Sequence, residues 1–258
     1  MAYEFVLYSV TNQVATITLN RPQAMNAMNK GLRDDLCAAV RAADADEGVR
    51  NIIITGNGKS FSAGPDLEEV TNAPCLYDLI EEDYKRIYDA ILGCSKPVIA
   101  AVNGASAGVG ASITLACDLI MMGENAFLFL AFANMGLIPD GGICWQLARN
   151  LGQKRAYQLI AEAAKISAED CVAWGLANKV VADDKLLEEA QSWAERLAKS
   201  APLTLKYSKQ VLQNAMHATY MDSMRMESGI QQMCYKTEDS KEAIKAFFEK
   251  RKPEFKGR

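Results

Sequence analysis

The chain opens with two short runs, EFVLYSV and QVATITLN, in which apolar and polar residues alternate, the period of a half-buried hairpin split at Thr11-Asn12. From residue 32 the period lengthens: Leu32, Leu36, Val40 and Ala43 fall on one helical face. RNIIITG then predicts a strand covered on both faces, because its β-branched run leaves no polar side. A second helix follows with Ile80, Tyr84, Ile87 and Ile91 on one side, and KPVIAAVNG predicts the next strand. Strand and helix alternating at this spacing imply parallel strands joined by right-handed crossovers. GVGASITLACDLIMM reads as a buried, small-residue helix feeding another strand.

Beyond residue 150 the pattern predicts helices only. Leu186, Ala190, Trp193 and Leu197 share a face, and helical periods run through 202–216, 219–235 and 239–250. In the last, Asp239 and Glu242 have the spacing of a capping box. The chain therefore divides into an α/β core over residues 1–200 and a helical C-terminal part over 201–258.

Composition acts mainly by exclusion. A chain of 258 residues that is 50% apolar can bury a sizeable core. Its 28 basic and 32 acidic side chains balance to −4, with a like-charged block only in the closing EKRKPEFKGR, which speaks against nucleic acid as a partner. Seven scattered cysteines without a CxxC pair point to a reducing compartment and to small buried hydrophobes rather than a zinc site. MAYEFVLYSV lacks the character of a signal peptide and no apolar run reaches spanning length, so a cytoplasmic protein without a membrane partner is expected. The single histidine, His217, lies in a helical stretch far along the chain from every glycine-rich loop, which leaves candidate serine or cysteine nucleophiles without a base.

Candidate chemistry gathers on three glycine-rich loops: SAGP (62–65), NGASAGVGAS (103–112) and IPDGG (138–142). The second does not fit the G-x-G-x-x-G dinucleotide pattern, but it opens a helix, so the N–H of Val109 would carry the positive end of a helix dipole. That terminus either stabilises a developing oxyanion or simply permits close packing. Asp140, between a proline and two glycines, is either an acid for catalysis or the N-cap of the following helix. Asp66, Glu68 and Glu69 read as a polar rim or cap, and Asp118 as a tie for a strand start. Pro65 is the anomaly, since it has no N–H in a loop where a donor would be useful.

Together, LNRPQAMNAMN (19–29), FSAGPDL (61–67), KPVIAAVNGASAGVGASITLACD (96–118) and GLIPDGG (136–142) resemble the crotonase family, the enoyl-CoA hydratase and isomerase superfamily, in order and spacing along essentially the whole chain. The resemblance implies a spiral of ββα units with a helical C-terminal part, assembly as a homotrimer or hexamer, acyl-CoA thioesters as substrates, and no cofactor or metal beyond the coenzyme A of the substrate. It implies an oxyanion hole built from the backbone at Pro65 and Val109. It places coenzyme A near Gln23, Ala24, Met25, Ala63, Gly64 and Asp66, with Phe247 and Lys250 on a tail that meets it near a subunit boundary. Leu130, Phe132 and Met135 would line a dry acyl pocket, with Gly108, Ser112 and Pro139 beside them.

The chain departs from a typical hydratase at two points. The paired glutamates that hold water there fall on Ser112 and Phe132, and neither is a carboxylate. The surviving acid is Asp140, where some Δ3,Δ2-enoyl-CoA isomerases and the ring-opening isomerase of phenylacetate breakdown carry theirs. A single base suits a double-bond shift. The expected activity is therefore an acyl-CoA isomerase with Asp140 as acid and base; a hydratase with displaced acids and a low-activity acyl-CoA binding protein are the alternatives.

Overall fold

The computed structural model describes residues 3–258. Strands β1 (Val6–Thr11) and β2 (Val14–Leu19) pair antiparallel. Their turn lies at Asn12 and Gln13, one residue later than the alternation suggested, since these two take the positive φ that a two-residue hairpin requires. Helix α1 (Lys30–Ala45) starts on the side chain of Asn29, which accepts from Leu32 N–H at 3.0 Å, and buries Leu32, Leu36, Val40 and Ala43 as the period predicts.

Three strand-strand-helix turns follow. The first is β3 (Asn51–Gly56), β4 (Ser60–Ser62), then α2 (Leu67–Asn72), α3 (Leu76–Asp78) and α4 (Lys85–Gly93), with a π-helical stretch Leu79–Tyr84 joining the last two. The second is β5 (Val98–Val102), β6 (Ala105–Ala107) and α5 (Val109–Ala116). The third is β7 (Leu119–Gly123), β8 (Phe127–Phe129) and α6 (Ile143–Ala161). In each turn the first strand joins a large sheet and the second a small one. The large sheet runs β1-β2-β3-β5-β7-β10 and the small one β4-β6-β8-β9, where β9 is Lys165–Ser167 and β10 Lys179–Val181. All pairings are parallel except β1 with β2 and β8 with β9.

The two late strands overturn the expectation of helices only past residue 150. Each is three residues long, too short to carry a period of its own, and exists because β8 and β7 offer it a ladder. The same explains why β4, β6 and β8 had no clear signature.

Period-2 burial accounts for the solidity of the large sheet. Ala15, Ile17, Ile52, Ile54, Val98 and Ala100 face the main core, while Val14, Ile53, Ile99, Ala101 and Met121 face a second, smaller one. After α7 (Ala168–Ala173), helix α8 (Leu186–Leu197) closes that second core with Leu186, Ala190 and Ala194, and with Trp193 and Leu197 packed at its edge. A helix on each side is why these strands read as unbroken apolar runs.

Helices α9 (Pro202–Ala215), α10 (Tyr220–Tyr235) and α11 (Glu238–Phe248) complete the described chain, and α9 and α10 bury no residue within it. Lys209 fastens α9 to the core, its Nζ donating to Ile91 O at 2.8 Å and to Asp118 at 2.9 Å. Asp118 also accepts from Val98 N–H at 2.8 Å, the strand tie expected of it. The capping box is absent. Thr237 caps α11, whereas buried Asp239 accepts from the N–H groups of Lys256 and Gly257 at 2.7 and 2.8 Å, and Glu242 pairs with Arg251. These acids hold the C-terminal tail against the helix. Four cysteines are buried as expected, but Cys75 and Cys144 are exposed and Cys234 partly so.

Candidate active site

The first and second glycine loops meet because their strands are neighbours in the small sheet. Gly64 and Gly108 both have positive φ, +107° and +50°. A Cβ on Gly64 would stand 3.0 Å from Ala107 O, and one on Gly108 would meet Pro65 Cδ at 3.4 Å and Phe132 Cζ at 3.9 Å. Only glycine allows both the φ and the approach. Pro65, Gly108, Val109 and Phe132 thus line one spot, as the resemblance implies.

Val109 starts α5 with Gly108 as a cap that offers no side chain, so its N–H is left without an intrahelical partner. Among the described residues nothing else accepts from it. Pro65 stands across the gap without an N–H of its own. Its neighbours do not replace it: Gly64 N–H donates to Ser62 Oγ at 3.3 Å and Asp66 N–H to Met28 O at 3.3 Å. The loop therefore presents one free donor where two backbone positions face each other.

A residue that the sequence reading passed over secures this loop. Asn26, fully buried with φ +55°, donates through Nδ2 to Asn57 O (3.0 Å) and Ser60 O (2.8 Å) and accepts from Arg21 N–H at 2.9 Å. Its own carbonyl accepts from Ser62 Oγ at 2.8 Å. The signal was available, since Asn is the ordinary non-glycine residue for left-handed backbone and can satisfy both donor and acceptor needs. Arg21 extends the clamp to Asp66 at 3.0 Å, and Asp66 caps α2 by accepting from Glu68 N–H at 3.2 Å. Gln23 and Met25 are exposed beside this clamp, and Ala24 and Ala63 are half-buried, with Ala63 N–H donating to Met25 O at 2.9 Å. Glu69 is no rim residue: it ion-pairs with buried Arg33 and accepts from Lys30 N–H.

The third loop brings Asp140 onto the first turn of α5. Ser112, 1% exposed, donates from Oγ to Gly108 O at 3.3 Å or to Asp140 O at 3.2 Å. Ser112 is thus neither a helix cap nor free for a ligand; it ties the acid's backbone to the helix. Asp140 is not an N-cap either. Gly142 holds that place for α6, while Asp140 Oδ1 is buried with no hydrogen-bond partner. Burial pushes its carboxyl above the ordinary aspartate range, opposed by its own backbone N–H. Leu130, Phe132 and Pro139 are buried, but Met135 is 59% exposed and Leu137 and Ile138 also face outward. Met135 therefore belongs to the rim rather than the lining.

The other expected residues lie farther out. Phe247 and Lys250 are exposed at and just beyond the end of α11, Phe247 stacked edge-on against Phe248 at 5.7 Å. His217 packs its ring 5.7 Å from Trp145 in the first turns of α6, so the fold brings it near the loop from which the sequence separates it. No helix among the described residues is long and apolar enough to cross a membrane, and no group of three or more metal-ligating side chains is found among them.

With this geometry in hand, the chain can be set beside known proteins. Residues 9–258 match the enoyl-CoA hydratase/isomerase family. A protein of Rhizobium meliloti (strain 1021) named probable enoyl-CoA hydratase is 36% identical over 258 residues, spanning all of both chains. The 1,2-epoxyphenylacetyl-CoA isomerase of Escherichia coli (strain K12) is 34% identical over 260 residues, 99% of each. A crystal structure of an enoyl-CoA hydratase subunit from Geobacillus kaustophilus HTA426 superposes with a TM-score of 0.94 at 33% identity, covering 99% of both chains. Parallel strands shared between two sheets in this way are the crotonase fold, and the chain belongs to the enoyl-CoA hydratase/isomerase family.

Proposed function

We propose that this protein is an enoyl-CoA isomerase that moves a double bond between the 3- and 2-positions of an acyl thioester, with Asp140 as the only acid-base residue. The observation that carries the reading is the state of the acids around the loops. Asp66 is engaged by Arg21 and Glu68 N–H, Glu69 by Arg33 and Lys30 N–H, and Asp118 by Lys209 and Val98 N–H. Asp140 alone among them has a buried carboxylate oxygen with no partner.

In this reading ionised Asp140 takes the proton from C2 of a 3-enoyl thioester. The electron pair of the broken C–H bond spreads over the thioester oxygen and C4, the double bond moves to C2–C3, and the proton returns from Asp140 to C4. Val109 N–H supports the oxygen. The raised affinity of Asp140 for a proton brings base and conjugate acid closer in strength, which suits a group that must do both. Burial of Leu130 and Phe132 keeps water from the intermediate. Pro65 fits the same chemistry. A dienolate carries part of its charge on C4 and so depends less on a second donor, whose loss typically lowers rate by about 10²–10³.

Coenzyme A would then lie along Gln23, Ala24, Met25, Ala63 and Gly64, with no cofactor beyond it. Leu212, Met221, Met224, Ile244, Phe247 and Phe248, exposed on the last three helices, are the surface on which copies of the chain would assemble as a trimer or hexamer. Sedimentation velocity tests this part, and a monomer would refute it. The central test incubates trans-3-hexenoyl-CoA with wild type and with Asp140→Asn in ¹⁸O water. Migration without ¹⁸O uptake, lost in the variant while thioester binding persists, is expected. An active variant would sink the reading; crotonyl-CoA, which already carries the C2–C3 double bond a hydratase needs, is run alongside, and ¹⁸O in its product would identify a hydratase.

A further inference from the structure

Two tyrosines stand one turn apart where the π-helical stretch enters α4, and they end differently. Tyr84 donates its O–H to Met28 O at 3.1 Å, with Arg33 beneath its ring at 4.6 Å. Tyr88, 9% exposed, carries a buried hydroxyl with no hydrogen-bond partner among the described residues. That hydroxyl lies against Gly141 and Ser112: a Cβ on Gly141 would overlap the phenol oxygen and come within 2.6 Å of Ser112 Cβ. It therefore ends beside the acid.

A buried polar atom without a partner typically costs about 1–3 kcal/mol, and here there are two, Asp140 Oδ1 and a Tyr88 Oη that lies against Gly141, the residue next to Asp140. Other donors are excluded by what they already bind. Ser112 has one hydroxyl hydrogen and directs it to backbone carbonyls, and Tyr84 is held by Met28. Tyr88 Oη, against Gly141, is the unengaged side-chain O–H next to the acid's loop among the described residues.

We propose that Tyr88 is a positioning residue for Asp140: on closure of the pocket around substrate its O–H donates to Asp140 Oδ1, fixing the carboxylate toward the acyl chain and favouring its ionised form. The inference rests on Asp140 being the base. Hydrogen bonds of this kind are commonly unformed in the free enzyme and tighten in the substrate complex. Burial and then the charge of Asp140 hold the phenol well above its ordinary range, opposed by the nearby Ser112 hydroxyl, so it remains a donor at neutral pH. The charged or titratable groups around the pair are Tyr84 from the same helical segment, with Arg33 and Glu69 behind it, and Cys144 in the first turn of α6, whose thiol approaches Pro139 O at 3.9 Å. Ser112 on α5 does not titrate.

Tyr88→Phe keeps the ring and removes the donor. The expected result with trans-3-hexenoyl-CoA is a kcat about 10- to 100-fold lower, KM within about twofold, and an acid limb of the kcat profile, which reports the substrate complex, moved to higher pH. The limb moves up because the ionised carboxylate loses a bond that favours it. A second readout needs no turnover: with saturating hexanoyl-CoA, a saturated thioester that has no double bond to move, the pH titration of ¹³C-labelled aspartate carboxyls should show the Asp140 resonance shifted upward in Tyr88→Phe. An acid limb and a carboxyl titration that both stay in place overturn the proposal, whether or not stability or KM changes. Asp140→Asn, run in parallel, separates the two readings. If it stays active, the base assignment fails; if it is dead while Tyr88→Phe titrates like wild type, only the role of Tyr88 fails.

Discussion

Two buried polar clusters sit on either side of one helix turn. Around Tyr84 the groups are matched: Arg33 donates to Met28 O, Glu69 and Asp83 and stacks on the tyrosine, and of its polar atoms only Nε is left unpaired. Around Tyr88 they are mismatched, with Asp140 Oδ1 and the phenol oxygen both unbonded. Desolvation acts on both clusters. In the first it is offset within the fold, and in the second it is not. The two clusters thus differ in which atoms remain unsatisfied rather than in which residue types are present, and the proposed role of Asp140 rests on that difference.

The largest test of this contrast is Asp140→Asn, expected to lower isomerase turnover by about 10²–10⁴-fold with acyl-CoA affinity retained by calorimetry. The same variant should be more stable than wild type at neutral pH. Burial raises the folded-state pKa of Asp140, so the group favours the fold most when protonated, and that contribution is lost as pH rises through the folded value. Asn carries no charge to lose. Thermal melts should therefore show the variant ahead at pH 7, with the gap closing toward pH 3; a chain of this size gains about 2–4 °C per kcal/mol. A gap that widens in acid would contradict the assignment.

Arg33→Ala probes the matched cluster and should act on stability, by about 3–5 kcal/mol in urea unfolding, because Glu69 and Asp83 lose their buried partner. Activity per folded molecule should change little. Pro65→Ala restores an N–H opposite Val109. It should raise kcat by about tenfold, short of the 10²–10³ of an oxyanion donor to a fully localised charge, and an unchanged kcat would mean that the position already has its donor. The smallest effect belongs to Ser112→Ala, which frees the Asp140 backbone from α5 and should cost about 1 kcal/mol of stability with a few-fold fall in kcat; a loss as large as that of Asp140→Asn would make Ser112 a reacting group.

Much of this was legible in the chain. The helices over 30–45 and 186–197 and the strands around RNIIITG and KPVIAAVNG follow from period alone, since burial on one or both faces leaves a mark at every second or fourth residue. The facing of Pro65 and Val109 came from the family pattern. The small sheet did not show, because strands of three residues are held by their neighbours and carry no pattern. Nor did the separate fates of Asp66, Glu69, Asp118 and Asp140, four acids that look alike in sequence until each partner is known.

By itself, then, the sequence determined the order of elements, the two-faced core, the family and the absence of an N–H at residue 65, all of them local or periodic properties. The tertiary structure decided which polar groups stay unpaired. Asp140 comes from a loop, Ser112 from α5 and Tyr88 from α4, and they share one space only because successive turns of the spiral stack. Hydrogen-bond satisfaction depends on distances between segments remote in the chain, and no pattern along the chain records them.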